Sequence, residues 1–460
     1  MNRAISQAWA ALGADAALLE RVSYARVPGA LPARLPVMEL ARATVAVCSL
    51  AAAELAAVRG GGPVPSVRIE DGAVATAFHS ERFLRLDGQA WEGFAPLSRF
   101  WRAADGWVRT HANYPHHRAR LLTGLGLPAD ADADAVAGAL AGRRAVEVED
   151  AVYGAGGLAV AVRDTGAWAA REQGALVARE PLLRLERLGG GPGPVPAAAG
   201  AAGSPCAGVR VLDLTRVLAG PVATRTLALL GADVLRVDTP HLPESQEAHN
   251  DTGLGKRSTL LDLGRSADRR TFDELLARAD VVVTGYRPGA LDRFGLTPGA
   301  LAERRPGLVV AQLSAWGRHG QWGTRRGFDS LVQAATGIAL LEGTSDAPGA
   351  LPAQALDHGT GYLVAAAVLR ALTERHRSGG GTWLAEAALA RTAHWLTHDL
   401  ATEEVPSHGP SYAPGPWLLE RDTPLGRLRH ARTPVTYEGG PTDWTRPPGR
   451  WGADAPRWLS

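Results

Sequence analysis

Two acidic residues stand where a carboxylate can do chemistry. Asp357 precedes Gly359-Thr360-Gly361 and an apolar helical run, Tyr362 to Leu372, and Asp329 sits in RRGFDSLVQAATG ahead of a helical pattern over Leu331 to Leu341. A helix N-terminus offers unpaired backbone N–H groups and favours negative charge, so either carboxylate is suited to a nucleophilic or charge-handling role. The same placement suits an Asp that only caps its helix, and spacing alone favours that plainer reading. Lys256 is the only lysine in the chain and precedes Arg257 in a loop before a strand, which makes it a candidate phosphate contact or a chance survivor of an arginine-biased composition. His111, His116 and His117 in HANYPHH invite a metal reading. No Cys or paired carboxylate is spaced with them, and adjacent His116 and His117 are expected to point apart, so a binding-surface or structural role is the default and no metal is expected.

The elements that must position these groups begin with GVRVLDLTRVLAGPVATRTLALLGADVLRVDTP. Val209 to Leu214 is a β-rich run, Gly220-Pro221 a turn, Val222 to Leu230 a helix and Asp233 to Val237 a second strand, which together make a βαβ unit. The first strand is not followed by G-x-G-x-x-G, so a dinucleotide cofactor has little support. The chain has 460 residues, 46% of them hydrophobic and 21% charged, enough for two or three cored units of a soluble protein. A formal charge of +2 argues against bulk nucleic-acid binding. No apolar run reaches 18 residues without interruption, and the N-terminal stretch reads as an amphipathic helix, so no membrane association and a cytoplasmic location are expected. Cys48 and Cys206 suggest neither a disulfide framework nor a zinc site.

The βαβ stretch resembles the family III CoA-transferases, of the formyl-CoA transferase and carnitine CoA-transferase type. The resemblance continues, in the family's order, through Gly255-Lys256-Arg257-Ser258, Leu260-Leu261-Asp262-Leu263, Ala279-Asp280-Val281-Val282-Val283, Tyr286 to Gly295, Gly327-Phe328-Asp329 with Gln333-Ala334, and Ala355 to Gly361. It implies an α/β fold: a Rossmann-like CoA-binding large domain with a parallel sheet, plus a smaller α+β domain. It also implies CoA as the carrier, an acyl-CoA and a small carboxylic acid as substrates, and an interlocked homodimer. Asp357 matches the family's catalytic Asp, and Asp329 an acidic position near the active site. CoA contacts carry over to Leu218, Ala219, Leu261, Asp262, Leu263, Gly264, Gly285, Tyr286, Arg287, Arg293, Arg325, Arg326, Gly327 and Phe328, with Lys256 as a further candidate. Where the family has another Arg after the second strand, this chain has Thr239-Pro240, and His241 is a possible replacement. The related α-methylacyl-CoA racemases carry a proton-shuttling His at the position of Phe328. Phenylalanine cannot take a proton, which disfavours that alternative, and His319, ten residues before Asp329, is read as a loop residue. A CoA-binding protein without turnover is the alternative of another class.

In that chemistry a carboxylate attacks a thioester, forms a mixed anhydride and then an enzyme thioester. With an ordinary pKa near ~3.9 an aspartate is already ionised at neutral pH and requires no general base. It does require a pocket poor in water and N–H donors for the developing oxyanion.

The order of the parts is unusual. Residues 76–187, containing FWRAADGWVRTHANYPHH, resemble the family's small domain but come first; residues 188–206 read as a Gly/Pro/Ala linker, 207–400 as the CoA-binding domain and 401–460 as a return segment. Residues 1–75 look like a degenerate copy of 350–400. Leu35-Pro36 and Leu40-Ala41-Arg42-Ala43-Thr44 parallel Leu351-Pro352 and Leu356-Asp357-His358-Gly359-Thr360, each before an Ala/Leu-rich helix. This register puts Ala41 opposite Asp357, and a methyl group cannot be a nucleophile.

Overall fold

The computed structural model describes residues 3–91, 93–190, 203–402 and 411–459. Much of the expected linker, at 191–202, lies outside the described residues. Five helices carry the argument: α1 Val37–Gly60, α2 Pro115–Leu125, α3 Ala219–Leu229, α4 Asp329–Ala335 and α5 Ala355–Arg377. The chain is built around a seven-stranded sheet. From one edge to the other it runs Arg257–Leu260, Asp233–Asp238, Arg210–Leu214, Val281–Thr284, Val309–Ser314, Thr382–Ala388 and Arg184–Gly189. The first six pair in parallel and the last is antiparallel. Val281-Val282-Val283 and Val309-Val310-Ala311 are wholly buried, the continuous apolar run that a parallel sheet covered on both faces demands. The strand Arg184–Gly189 enters residues read as linker, because its pairing with Thr382–Ala388 carries it to Gly189.

Smaller sheets tie the rest together. Phe100–Ala103, Gly106–Thr110 and Ala159–Ala161 form an antiparallel sheet with α2 in its vicinity. In the tail Leu418–Thr423 pairs with Gly426–Ala431, and the latter with Arg85–Leu86, so this part of the tail returns to the N-terminal region, while the Trp458 indole donates to the carbonyl of Leu275 beside the main sheet at 3.0 Å.

The two Ala/Leu-rich helices lie against each other. Helix α1 is long and apolar enough by length and composition to cross a membrane, yet 94% of its most apolar 18-residue stretch is buried inside the protein, chiefly along α5. Both helices lead into a strand whose parallel partner lies before the helix: Val22–Ala25 with Val67–Glu70 for α1, Val309–Ser314 with Thr382–Ala388 for α5. Glycines set how closely α5 is approached. A Cβ on Gly359 would meet Leu40 Cδ2 at 2.6 Å, and one on Gly361 would meet the Ala219 carbonyl oxygen at 2.5 Å. The helical pattern after Asp329 is not one helix: α4 stops at Ala335 and a second, Ile338–Glu342, starts after Gly337, whose φ of 98° is left-handed.

Lys256 belongs to this scaffold, not to a surface that meets a ligand. Its side chain is fully buried, and its ammonium donates to Asp213 Oδ2 at 2.9 Å, Thr224 Oγ1 at 2.5 Å and the Pro221 carbonyl at 3.0 Å. Burial pushes its pKa down to about 8 against the pull of Asp213. Asp213 in turn accepts from Thr215 and Thr224, so one buried carboxylate and one ammonium fix the strand end and the turn that starts α3. The expected phosphate contact is therefore corrected: all three ammonium protons are used inside the protein.

Two substitutions test this packing. Lys256→Met leaves Asp213 buried without its counter-ion and should cost about 3–5 kcal/mol, as loss of one partner of a buried pair does, measured as a lower thermal midpoint. Gly361→Ala forces α5 away from the α3 backbone and should cost about 1–3 kcal/mol by the same measurement, the usual penalty of overpacking.

Candidate active site

A cleft of about 640 Å³ opens at the C-terminal ends of the central strands, the usual ligand position in open α/β sheets. Its floor is Arg216 to Leu218 and the first turn of α3, which already contains Gly220 and Pro221, expected to form a turn ahead of the helix. Val217 there has φ +70°, a conformation that β-branched residues rarely adopt and that persists only when surroundings enforce it.

Asp357 reaches this cleft from the first turn of α5. It is 7% exposed, and its carboxyl forms no hydrogen bond with any described residue. Asp329, completely buried, stands behind it: Oδ2 accepts the Asp357 backbone N–H at 2.9 Å, and Oδ1 accepts from Gln333 Nε2. Gln333 Oε1 then accepts the Leu351 N–H at 2.9 Å, anchoring the segment that enters α5. Neither Asp caps its own helix. The cap positions are Phe328 and Gln354, neither of which makes a side-chain capping bond.

Electrostatics overturn the expectation of an Asp ionised at an ordinary pKa. Burial, then the charge of Asp329, then Glu81, hold the Asp357 carboxyl well above the usual carboxylate range. Burial pushes Asp329 up to about 6 despite the N–H donors that favour its ionised form. Two adjacent buried carboxyls of this kind titrate as a unit.

The structure brings most of the sequence-derived set together. Leu218, Ala219, Leu261, Asp262, Leu263, Gly285, Tyr286, Arg287, Arg293, Arg325, Arg326, Gly327 and Phe328 line the same cleft as Asp357. Gly264 does not line it; its N–H donates to Asp262 Oδ1 at 2.9 Å and shapes the turn. His241 does line it and contacts Asp262 Oδ2 at 3.0 Å. His319 lies away from the cleft, its carbonyl held by Gln173 at 2.9 Å. The histidine expectation is corrected: on the first turn of α2 the rings of His116 and His117 converge at 4.2 Å. His111 stacks on Phe328 at 3.8 Å and 7°. Burial pushes His111 down to about 3 and His117 down to about 2, so these imidazoles are neutral. Among the described residues no group of three or more His, Cys, Asp or Glu could hold a metal ion.

Several cleft residues carry no signal in the sequence as part of the site. Tyr114 and Arg120 line it from the N-terminal region, and the Tyr114 hydroxyl donates to Glu244 Oε1 at 2.8 Å, a carboxylate also paired with Arg216. Glu81 lies behind α5, 3.2 Å from His358 Nε2, whose ring stacks on Phe78. Only tertiary contact across more than 200 residues joins these groups to Asp357; the resemblance of HANYPHH to a small domain was the one available pointer.

Residues 206–416 match the family described as CoA-transferase family III. Among curated proteins, a probable fatty acyl-CoA transferase of Mycobacterium tuberculosis is 34% identical over 189 residues, 38% of this chain and 48% of that protein. The formyl-CoA:oxalate CoA-transferase of Streptomyces coelicolor is 34% identical over 44% of this chain and 52% of its own length. The succinyl-CoA:mesaconate CoA-transferase of Haloarcula hispanica is 36% identical over 38% and 50%. A solved structure of a hypothetical protein from Mycobacterium tuberculosis is 34% identical, covering 43% of this chain and 58% of that one with a TM-score of 0.39. The chain spans between about a third and about a half of the length of the curated relatives it matches. The segment 206–416, which holds α3, α4, α5, Asp329 and Asp357, is thus the part of the chain that is similar to CoA-transferase family III.

Proposed function

We propose that this chain is a CoA-transferase, moving CoA from an acyl-CoA to a small carboxylic acid with Asp357 as nucleophile. One observation carries the reading: a buried carboxyl without a hydrogen-bond partner among the described residues faces a cleft that also presents five arginines from the matched segment. An Asp357 oxygen attacks the thioester carbonyl carbon, the C–S bond breaks, and CoA leaves as thiolate from a mixed anhydride. The thiolate then attacks the aspartyl carbonyl carbon and releases the donor acid, leaving CoA on Asp357 as a thioester. The acceptor carboxylate reverses the two steps. Phe328, stacked on His111, keeps the wall beside the acid pair apolar, which protects an anhydride from water.

Tyr114, His116, His117 and Arg120 come from the same chain as Asp357, which supports a cleft completed in cis.

Only ionised Asp357 can attack. Its raised pKa means that exchange between a panel of acyl-CoAs and free acids, followed by mass spectrometry, should fall as pH drops through a midpoint well above the ordinary carboxylate range. Asp329→Asn removes the neighbouring charge yet keeps an acceptor for the Asp357 N–H, so this acid limb should move to lower pH. Asp357→Asn should abolish exchange. Since the native carboxyl titrates above its unfolded value, its ionisation at higher pH destabilises the fold, and Asp357→Asn should raise the thermal midpoint at pH 8. Full exchange by Asp357→Asn refutes the assignment.

A further inference from the structure

The N-terminal region contributes charge to the cleft as well as shape. Arg120, one turn along α2 from His116, and Arg326, just before α4, converge on one residue. Arg326 Nη1 lies 3.4 Å from the Gly156 carbonyl oxygen, and a Cβ on Gly156 would stand 2.8 Å from Arg120 Nη1. The Arg326 backbone is held from behind, its carbonyl accepting from the Tyr153 hydroxyl at 2.9 Å and from Trp316 Nε1 at 3.2 Å. Both side chains line the cleft, as does Arg287, and none of the three pairs with a carboxylate among the described residues. By contrast Arg216, in the same cleft, is neutralised by Glu244. Burial, then Arg287, then Arg120, lower the pKa of Arg326, as expected where like charges sit close without a counter-ion. Such a cluster favours an anion between its guanidiniums.

We propose that Arg120 completes an anion subsite with Arg287 and Arg326 that grips a phosphate of CoA, so that the ligand is held from both the N-terminal region and the family III segment of one chain. This rests on the CoA reading above. Phosphate and carboxylate share the chemistry of recognition, and a carboxylate at the far end of a diacid acyl group is the other source. Phosphate is favoured because its charge of up to about −2 and its several acceptor oxygens suit three guanidiniums better than a single carboxylate does.

Calorimetric titration of the full chain with free CoA, pantetheine, acetyl-CoA and succinyl-CoA tests this. Arg120→Ala should weaken free CoA roughly tenfold, leave pantetheine unchanged and make CoA affinity less sensitive to salt, with Arg120→Lys recovering part of the loss. Arg120 is exposed, so the fold should survive and the thermal midpoint should stay at the wild-type value. Unchanged CoA affinity in Arg120→Ala overturns the proposal. So does an equal loss for pantetheine, which marks a structural effect, or a loss confined to succinyl-CoA, which assigns the site to an acyl carboxylate. Failure of the wild-type protein to bind CoA at all refutes the CoA reading itself, and the subsite with it.

Discussion

Two carboxyl groups that cannot both ionise freely in one buried place organise this molecule. Asp329 holds the backbone N–H of Asp357, and its charge, after burial, raises the pKa of the side chain it positions. A carboxylate kept from water and hydrogen bonds is a stronger base and nucleophile than a solvated one, but it exists only above a raised pKa. The geometry thus exchanges ionised fraction for reactivity. Everything that packs on α5 serves to keep this pair dry and in register: Gly361 lets α3 approach, Gly359 admits Leu40 from α1, and Gln333 ties α4 to the entry of α5.

The N-terminal region completes that enclosure. At the position of α1 that parallels Asp357 stands Ala41, and beside it Arg42 takes the place of His358. Arg42 binds Asp71 through two hydrogen bonds of 2.8 and 2.9 Å, while His358 faces Glu81. Two helices of similar sequence thus lie together in different chemical states, one presenting a carboxyl to a cleft and the other a methyl group beside a buried ion pair. Buried pairs of this kind need their partner more than they add stability; Glu81–His358 registers the N-terminal region on the matched segment, while Arg42–Asp71 ties α1 to the residues that follow it.

The sequence made the central βαβ unit legible to within a few residues, because apolar β-rich runs and a helical run between them are local signals; Gly220-Pro221, read as a turn, lies instead in the first turn of the helix. Asp357, Asp329 and the arginines were legible only through resemblance, since a helix-start Asp reads equally well as a cap. What was not legible is tertiary. Lys256 was expected to face phosphate, yet its burial with Asp213 depends on a turn and a helix 30 or more residues away. The convergence of His116 and His117 follows from their place on the first turn of α2, which adjacency in sequence did not reveal. Glu81 shifts the Asp357 carboxyl from a segment with no motif at all.

The most direct test is to locate the covalent intermediate. Incubation with an acyl-CoA, reduction of any enzyme thioester with borohydride and peptide mass spectrometry would identify the modified side chain. The account predicts that the carboxyl of Asp357 is converted to the alcohol, and at no other acidic residue. Sustained CoA exchange with Asp357 unmodified, or reduction at Asp329 instead, would contradict it.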